Sequence, residues 1–270
     1  MKAAYSLILA LFALNLCAAA ELQIMSPVTG VVQDGGEVYL GAVGPGQTLY
    51  IEANALVTTG GKFGQGGRWD MLEVVSAPDG WTSENSLLYE QPLKLRLKVA
   101  SDAADQEYMV LVRAVDEGNK EELGEVNMKL IVNVSRDVFG MSVSPARKET
   151  GAGQPASFIV TIRNDGIASD AFEISASGLP AWNFRKTVFV PAGSSKEVPY
   201  DVVSGEEGEF SPIIKVRSLS SDLLSGEQNV RLGVSTSLAS DYKATNNGLL
   251  LFPILEQAAY SVMGLLANLF

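Results

Sequence analysis

The sequence contains no histidine and a single cysteine, Cys17. Without histidine there is no imidazole to act as a general base near neutral pH or as a zinc ligand. A lone cysteine cannot close an intramolecular disulfide. Cationic side chains are scarce too: 20 Lys and Arg stand against 31 Asp and Glu, a net charge of −11. That balance disfavours phosphate backbones and anionic headgroups, so no nucleic acid is expected as a general partner. A phosphate loop is missing as well. The stretch "GGKF" lacks a Ser or Thr after its lysine, and no strand–helix unit surrounds it.

What is present begins with an export signal. Lys2 is followed by the apolar run "AAYSLILALFALNLCAAA", with small residues at Ala18 and Ala20 ahead of Glu21. This predicts a secretory signal peptide over residues 1–20, an uncleaved anchor being the alternative. Leu16, in place of a small residue before Cys17, argues against lipidation. Cleavage would remove Cys17 and Lys2, leaving 19 basic against 31 acidic residues, a charge of −12. Such a chain is exported without disulfides, and its core must rest on packing and sheet hydrogen bonds.

Strand patterns dominate the rest. "LKLRLKV" places Leu93, Leu95, Leu97 and Val99 on one face. "EVNMKLIVNV" does the same with Val126, Met128, Leu130, Val132 and Val134, "SFIVTIRN" with Phe158, Val160 and Ile162, and "NVRLGV" with Val230, Leu232 and Val234. Alternation of this kind means strands with one wet face, and the Gly, Pro, Asn and Asp clusters between them indicate antiparallel sandwiches. An internal repeat follows once the punctuation is aligned. "GPGQTLYIEANA" from Gly44 matches "GAGQPASFIVTI" from Gly151; "EVVSAPDGW" ending at Trp81 matches "EISASGLPAW" ending at Trp182; "EYMVLVRA" from Glu107 matches "EFSPIIKVRS" from Glu209. The order is the same in both halves, and the first half carries the longer loop, "TTGGKFGQGGRW" against "NDGIAS".

The strand after Gly-x-Gly-Gln, the Asn-Asp-Gly loop, "GLPAW" and "VPAGSSKEV" resemble the Ig-like accessory domain found beside some glycosidase catalytic domains. Similar domains occur in archaeal S-layer-like surface and membrane proteins. The resemblance is best over residues 138–236 and weaker over 22–136. It implies a sandwich fold and brings no catalytic residues with it.

Candidate functional residues are few. Trp81 and Trp182, at equivalent places in the two copies, are expected to fill sandwich cores. The Gly-rich loop occurs once and carries Phe63, Arg68 and Trp69, the candidate ligand-binding residues; the competing expectation is a hairpin whose Trp69 folds back on the sheet. The acidic clusters "SDAADQE" and "DEGNKEE" lack the spacing of a calcium loop and are read as solvated turns. No metal, cofactor or catalytic residue is expected. Asn133, in the sequon "NVS", lies on the wet side of its strand and is the candidate glycosylation site.

The tail from Gly248 to Phe270 has 23 residues, enough as a helix to cross a bilayer core. Its apolar faces carry Leu250, Phe252, Ile254, Leu255, Val262, Leu265, Leu266, Leu269 and Phe270, beside a stripe of polar and small residues at helical spacing. Spanning, interfacial and docked placements all remain open, and membrane association is the one expected.

The expected organisation is all-β: a signal peptide (1–20), Ig-like sandwiches over 21–136 and 137–236, a linker (237–248) and a membrane-associating helix (249–270). The expected role is a non-enzymatic exported protein of the cell surface or envelope. Its partners would be membrane lipid, through the helix, and other envelope proteins or glycans. The alternative is a secreted carbohydrate-binding module.

Overall fold

The computed structural model describes residues 20–236; residues 1–19 and 237–270, on which the expected signal peptide, linker and C-terminal helix fall, lie outside the described residues. Among the described residues every regular element is a strand, apart from 3-10 turns at Glu117–Asn119 and Arg136–Val138. The four alternating stretches form strands, and the apolar set of each is buried.

In the first half, a five-stranded sheet centres on Thr48–Ala53, paired with Leu22–Ser26 on one side and Leu93–Lys98 on the other. A four-stranded sheet centres on Gln106–Val115 and Glu125–Val134. Its edges are Met71–Ser76 and Gly36–Val43, and the latter runs parallel to Glu125–Val134. Leu49, Ile51 and Leu95 from the first sheet share one apolar core with Val112, Met128 and Leu130 from the second.

The second half reuses the plan. Ala156–Asn164 lies between Phe139–Ser144 and Ser194–Val202, and Asp170–Ser177 pairs with Ile213–Ser218. A short parallel pair, Arg147–Thr150 with Arg231–Val234, stands where the first half pairs Gly36–Val43 with its last strand. A separate core gathers Phe158, Phe172, Tyr200 and Ile214.

The copies diverge after the matched tryptophans. The strand following Trp81, Thr82–Glu84, joins the five-stranded sheet, and Trp81 is buried against Tyr108 with ring centroids 5.4 Å apart. The strand following Trp182, Arg185–Val190, pairs instead with Asp170–Ser177 in the other sheet. Trp182 is only half-buried, tilted against Phe184 at 5.9 Å and packed on the edge of the second core, so it meets the expectation of a matching core position only in part.

Candidate functional site

The registers place the two ends of the first unit. Ala53 faces Leu93, and Val115 faces both Met71 and Glu125, so the loops 54–70, 85–92 and 116–124 leave the strands at one end. Asp70 N–H to Val115 O at 2.9 Å and Trp69 N–H to Ala55 O at 2.8 Å bring the two sheets together there. The opposite end, around Gly44–Gln47 and Ser101, meets the second unit.

The Gly-rich loop is a hairpin, with Leu56–Val57 paired to Gly67–Arg68. Trp69 stands at its base, fully buried in the first core, its Nε1 donating to the Glu21 carbonyl at 3.2 Å. This corrects the ligand-binding assignment of Trp69: a ring this large stabilises the unit most when its apolar area leaves water, and its faces are closed to any stacking ligand. Arg68 is likewise inward. Its Nη2 donates to the carbonyls of Tyr89 and Glu90, clipping the hairpin to loop 85–92. Phe63 is the member of the trio that is displayed, at 80% exposure.

The third loop joins the other two. Lys62 N–H donates to Glu121 O at 2.9 Å. The Tyr89 hydroxyl lies 3.3 Å from Glu117 Oε2, and Lys120 Nζ donates to that hydroxyl at 3.3 Å. The hydrogen bond to Tyr89, then its charge and more weakly those of Glu117 and Asp70, hold the Lys120 ammonium above its ordinary value. Asp116 organises the loop from below. Buried, it accepts from the N–H groups of Lys120, Glu121 and Leu123 at 3.0, 2.9 and 3.2 Å. "DEGNKEE" is thus a structured turn built on a buried aspartate as well as an exposed acidic one.

Apolar side chains stand out from this framework: Leu56, Phe63, Leu87 at 73% exposure, Leu88 and Tyr89. Of the four non-glycine residues at positive φ among the described residues, three sit here: Tyr89 (64°), Asn119 (50°) and Glu122 (54°). Such conformations cost about 1–2 kcal/mol each, least for Asn, and persist where the surroundings enforce them. Leu87, Leu88 and Tyr89 were not singled out in the sequence; "SLLYE" between two strands was the available signal, an apolar triplet inside a turn. Asn133, on Glu125–Val134, is exposed.

No family model matches the chain, and no curated protein matches it. Solved structures with partial likeness include a β-glucosidase from Listeria innocua in complex with gluconolactone (18% identity, TM-score 0.27) and the same enzyme with glucose (19%, 0.27). Each of these matches covers 35% of this chain and 16% of the β-glucosidase chain, so this chain spans about a sixth of that protein's length. A further one is the ASH/PapD-like domain of human CEP192, at 10% identity and TM-score 0.24, covering 36% of this chain and 84% of that domain. Likenesses of this size carry no argument about activity or partner.

Proposed function

We propose that the chain is a non-enzymatic, exported interaction protein. It presents two tandem Ig-like sandwiches on the outer face of the cell membrane or in the envelope, and its 249–270 stretch holds it at the membrane. The observation that carries this reading is the distal end of the first unit, where three cross-linked loops display Phe63, Leu87 and Tyr89 to solvent. Loops fixed on a rigid sheet framework are the usual place for recognition. The signal-like N-terminal stretch and the apolar tail read from the sequence support this location. The carbohydrate-binding alternative has lost its best platform, since the Trp69 ring is enclosed.

Membrane fractionation of the full-length chain, against a form ending at Asn247, tests the reading. The full chain is expected in the membrane fraction and digestible by protease added outside the cell, with the shortened form released. Retention of both forms in the cytosol would sink it.

A further inference from the structure

We propose that the distal tip of the first unit docks a protein partner that presents an apolar or aromatic anchor flanked by lysine or arginine. This rests on reading the chain as an interaction protein and names the chemistry of the partner.

The contact chemistry comes first. Phe63, Leu87, Leu88 and Tyr89 are exposed together on the loops at one end of the unit, whereas its other large exposed side chains, among them Met25, Tyr39, Tyr50 and Met109, are spread along strands. Apolar side chains left in water on loops held by hydrogen bonds are what a partner's anchor would cover. The loops are clipped to one another through Arg68, Lys62 and Tyr89, so little ordering cost remains at binding.

Charge then selects the partner. The tip's own cations are engaged within it: Lys62 pairs with Glu122 at 3.5 Å, Lys120 bonds the Tyr89 hydroxyl, and Arg68 serves the two carbonyls. Glu117, which accepts from the Tyr89 hydroxyl, and Glu121, which lies over Gly67, are exposed on the same loop and make no ion pair among the described residues. The unit as a whole carries 9 basic and 17 acidic residues, a charge of −8 over 21–136. A partner with cations around its anchor complements this rim. A second copy of the same tip, or an anionic membrane, meets repulsion.

The fold itself favours a protein over a glycan. The equivalent end of the second unit is already a protein-docking surface. Its turn 165–169 follows the strand that matches Thr48–Ala53, and Ile167 N–H donates to Ala42 O of the first unit at 2.8 Å. Its 218–224 turn matches loop 116–124, and Ser221 Oγ donates to Ser101 O at 2.8 Å. In the second unit this end is covered by the first; in the first unit nothing described covers it.

The test pans the immobilised full chain with a phage-displayed library of random dodecapeptides, and a glycan array runs beside it. Enriched peptides are expected to pair Phe, Trp or Leu with Lys or Arg. Their binding should fall about tenfold or more on Phe63→Ser or Leu87→Ser, and weaken with Glu121→Lys and with added salt. Tyr39→Ser, an exposed residue on an edge strand of the same unit, should bind as the parent does. All four side chains are exposed, so unchanged thermal unfolding verifies that each variant is folded. Failure to enrich any peptide, an acidic consensus, equal binding to Phe63→Ser, or glycan binding that needs Phe63 would each overturn the proposal. If panning fails while the full chain still fractionates with membranes, the docking surface is wrong and the surface role stands. If panning succeeds with a cytosolic chain, the reverse holds.

Discussion

Trp69 shows how one residue can change role between a string and a fold. At the end of a glycine-rich stretch, it looks free to stack on a ligand. In the molecule its ring is wholly enclosed and its N–H is satisfied by the Glu21 carbonyl. Trp69→Ala is expected to cost about 3–5 kcal/mol, read from the urea midpoint, because a cavity of that size closes only in part. Phe63→Ala, six residues away and exposed, should leave the midpoint nearly unmoved. In the second unit, buried Tyr200 donates from its hydroxyl to Phe184 O at 2.6 Å. Burial pushes its phenol above the ordinary value, against smaller opposing hydrogen bonds. The folded state therefore keeps this proton longer than the unfolded state does. The contribution is complete below about pH 10, the ordinary phenol value, and is lost as pH rises through the folded value. Urea midpoints measured on either side of pH 10 should fall more steeply in the parent than in Tyr200→Phe.

The 56–68 hairpin is the element that separates the two copies. Its closure depends on backbone that only glycine supplies cheaply. Gly66 has φ +84°, and a Cβ there would run into the Val57 carbonyl. Gly66 N–H also closes the loop on Gly60 O at 2.9 Å. Gly66→Ala should unseat the hairpin, cost at least about 1–2 kcal/mol, and raise protease cleavage at Lys62, detectable by limited trypsin digestion and mass mapping. The second copy solves the same crossing without a hairpin. There the buried Asn164 amide donates to the carbonyls of Ala168, Val190 and Pro191 and ties the short turn down. Its edge strands are blunted as well: Lys186 Nζ donates to Pro199 O at 2.8 Å and Lys196 Nζ to Phe189 O at 3.3 Å. Lysine and proline on facing edges oppose further strand addition. Recognition is accordingly assigned to loops rather than to sheet edges.

The two units meet across a polar seam. Asp170, buried, accepts from Gln47 Nε2 of the first unit at 2.9 Å, from Ser218 Oγ at 2.7 Å and from Ser220 Oγ at 2.7 Å. Gln47 in turn accepts from Gly44 N–H at 2.8 Å. A side chain on Gly46, at φ +71°, would strike the Ser220 carbonyl, so the approach is as close as backbone allows. Asp170→Ala leaves the Gln47 amide and two serine hydroxyls without their acceptor. It is expected to cost about 2–3 kcal/mol and to loosen the pair, seen as a second unfolding transition and a larger maximum dimension in small-angle scattering. The seam fixes the direction in which the distal tip faces, away from the second unit.

Periodicity and punctuation were enough for much of the chain. The alternating sets around Leu95, Leu130, Val160 and Leu232 read directly as strands with one buried face, because a pleated strand alternates its side chains whatever it packs against. The repeated Gly-x-Gly-Gln and Glu-to-Trp segments likewise marked corresponding strands, and the absence of histidine and the single cysteine limited the chemistry available. The hairpin bearing Phe63, Arg68 and Trp69 was marked too, though not which ring it displays. That depended on where the hairpin lies against the sheets, a contact between residues as distant as Trp69 and Glu21. The same holds for Leu87 and Tyr89, for the carboxylates of loop 116–124, and for the half-buried state of Trp182, which follows from the sheet its next strand joins. Local pattern determines which residues face inward along a strand; only long-range pairing decides which strands share an end, and so which loops form one surface.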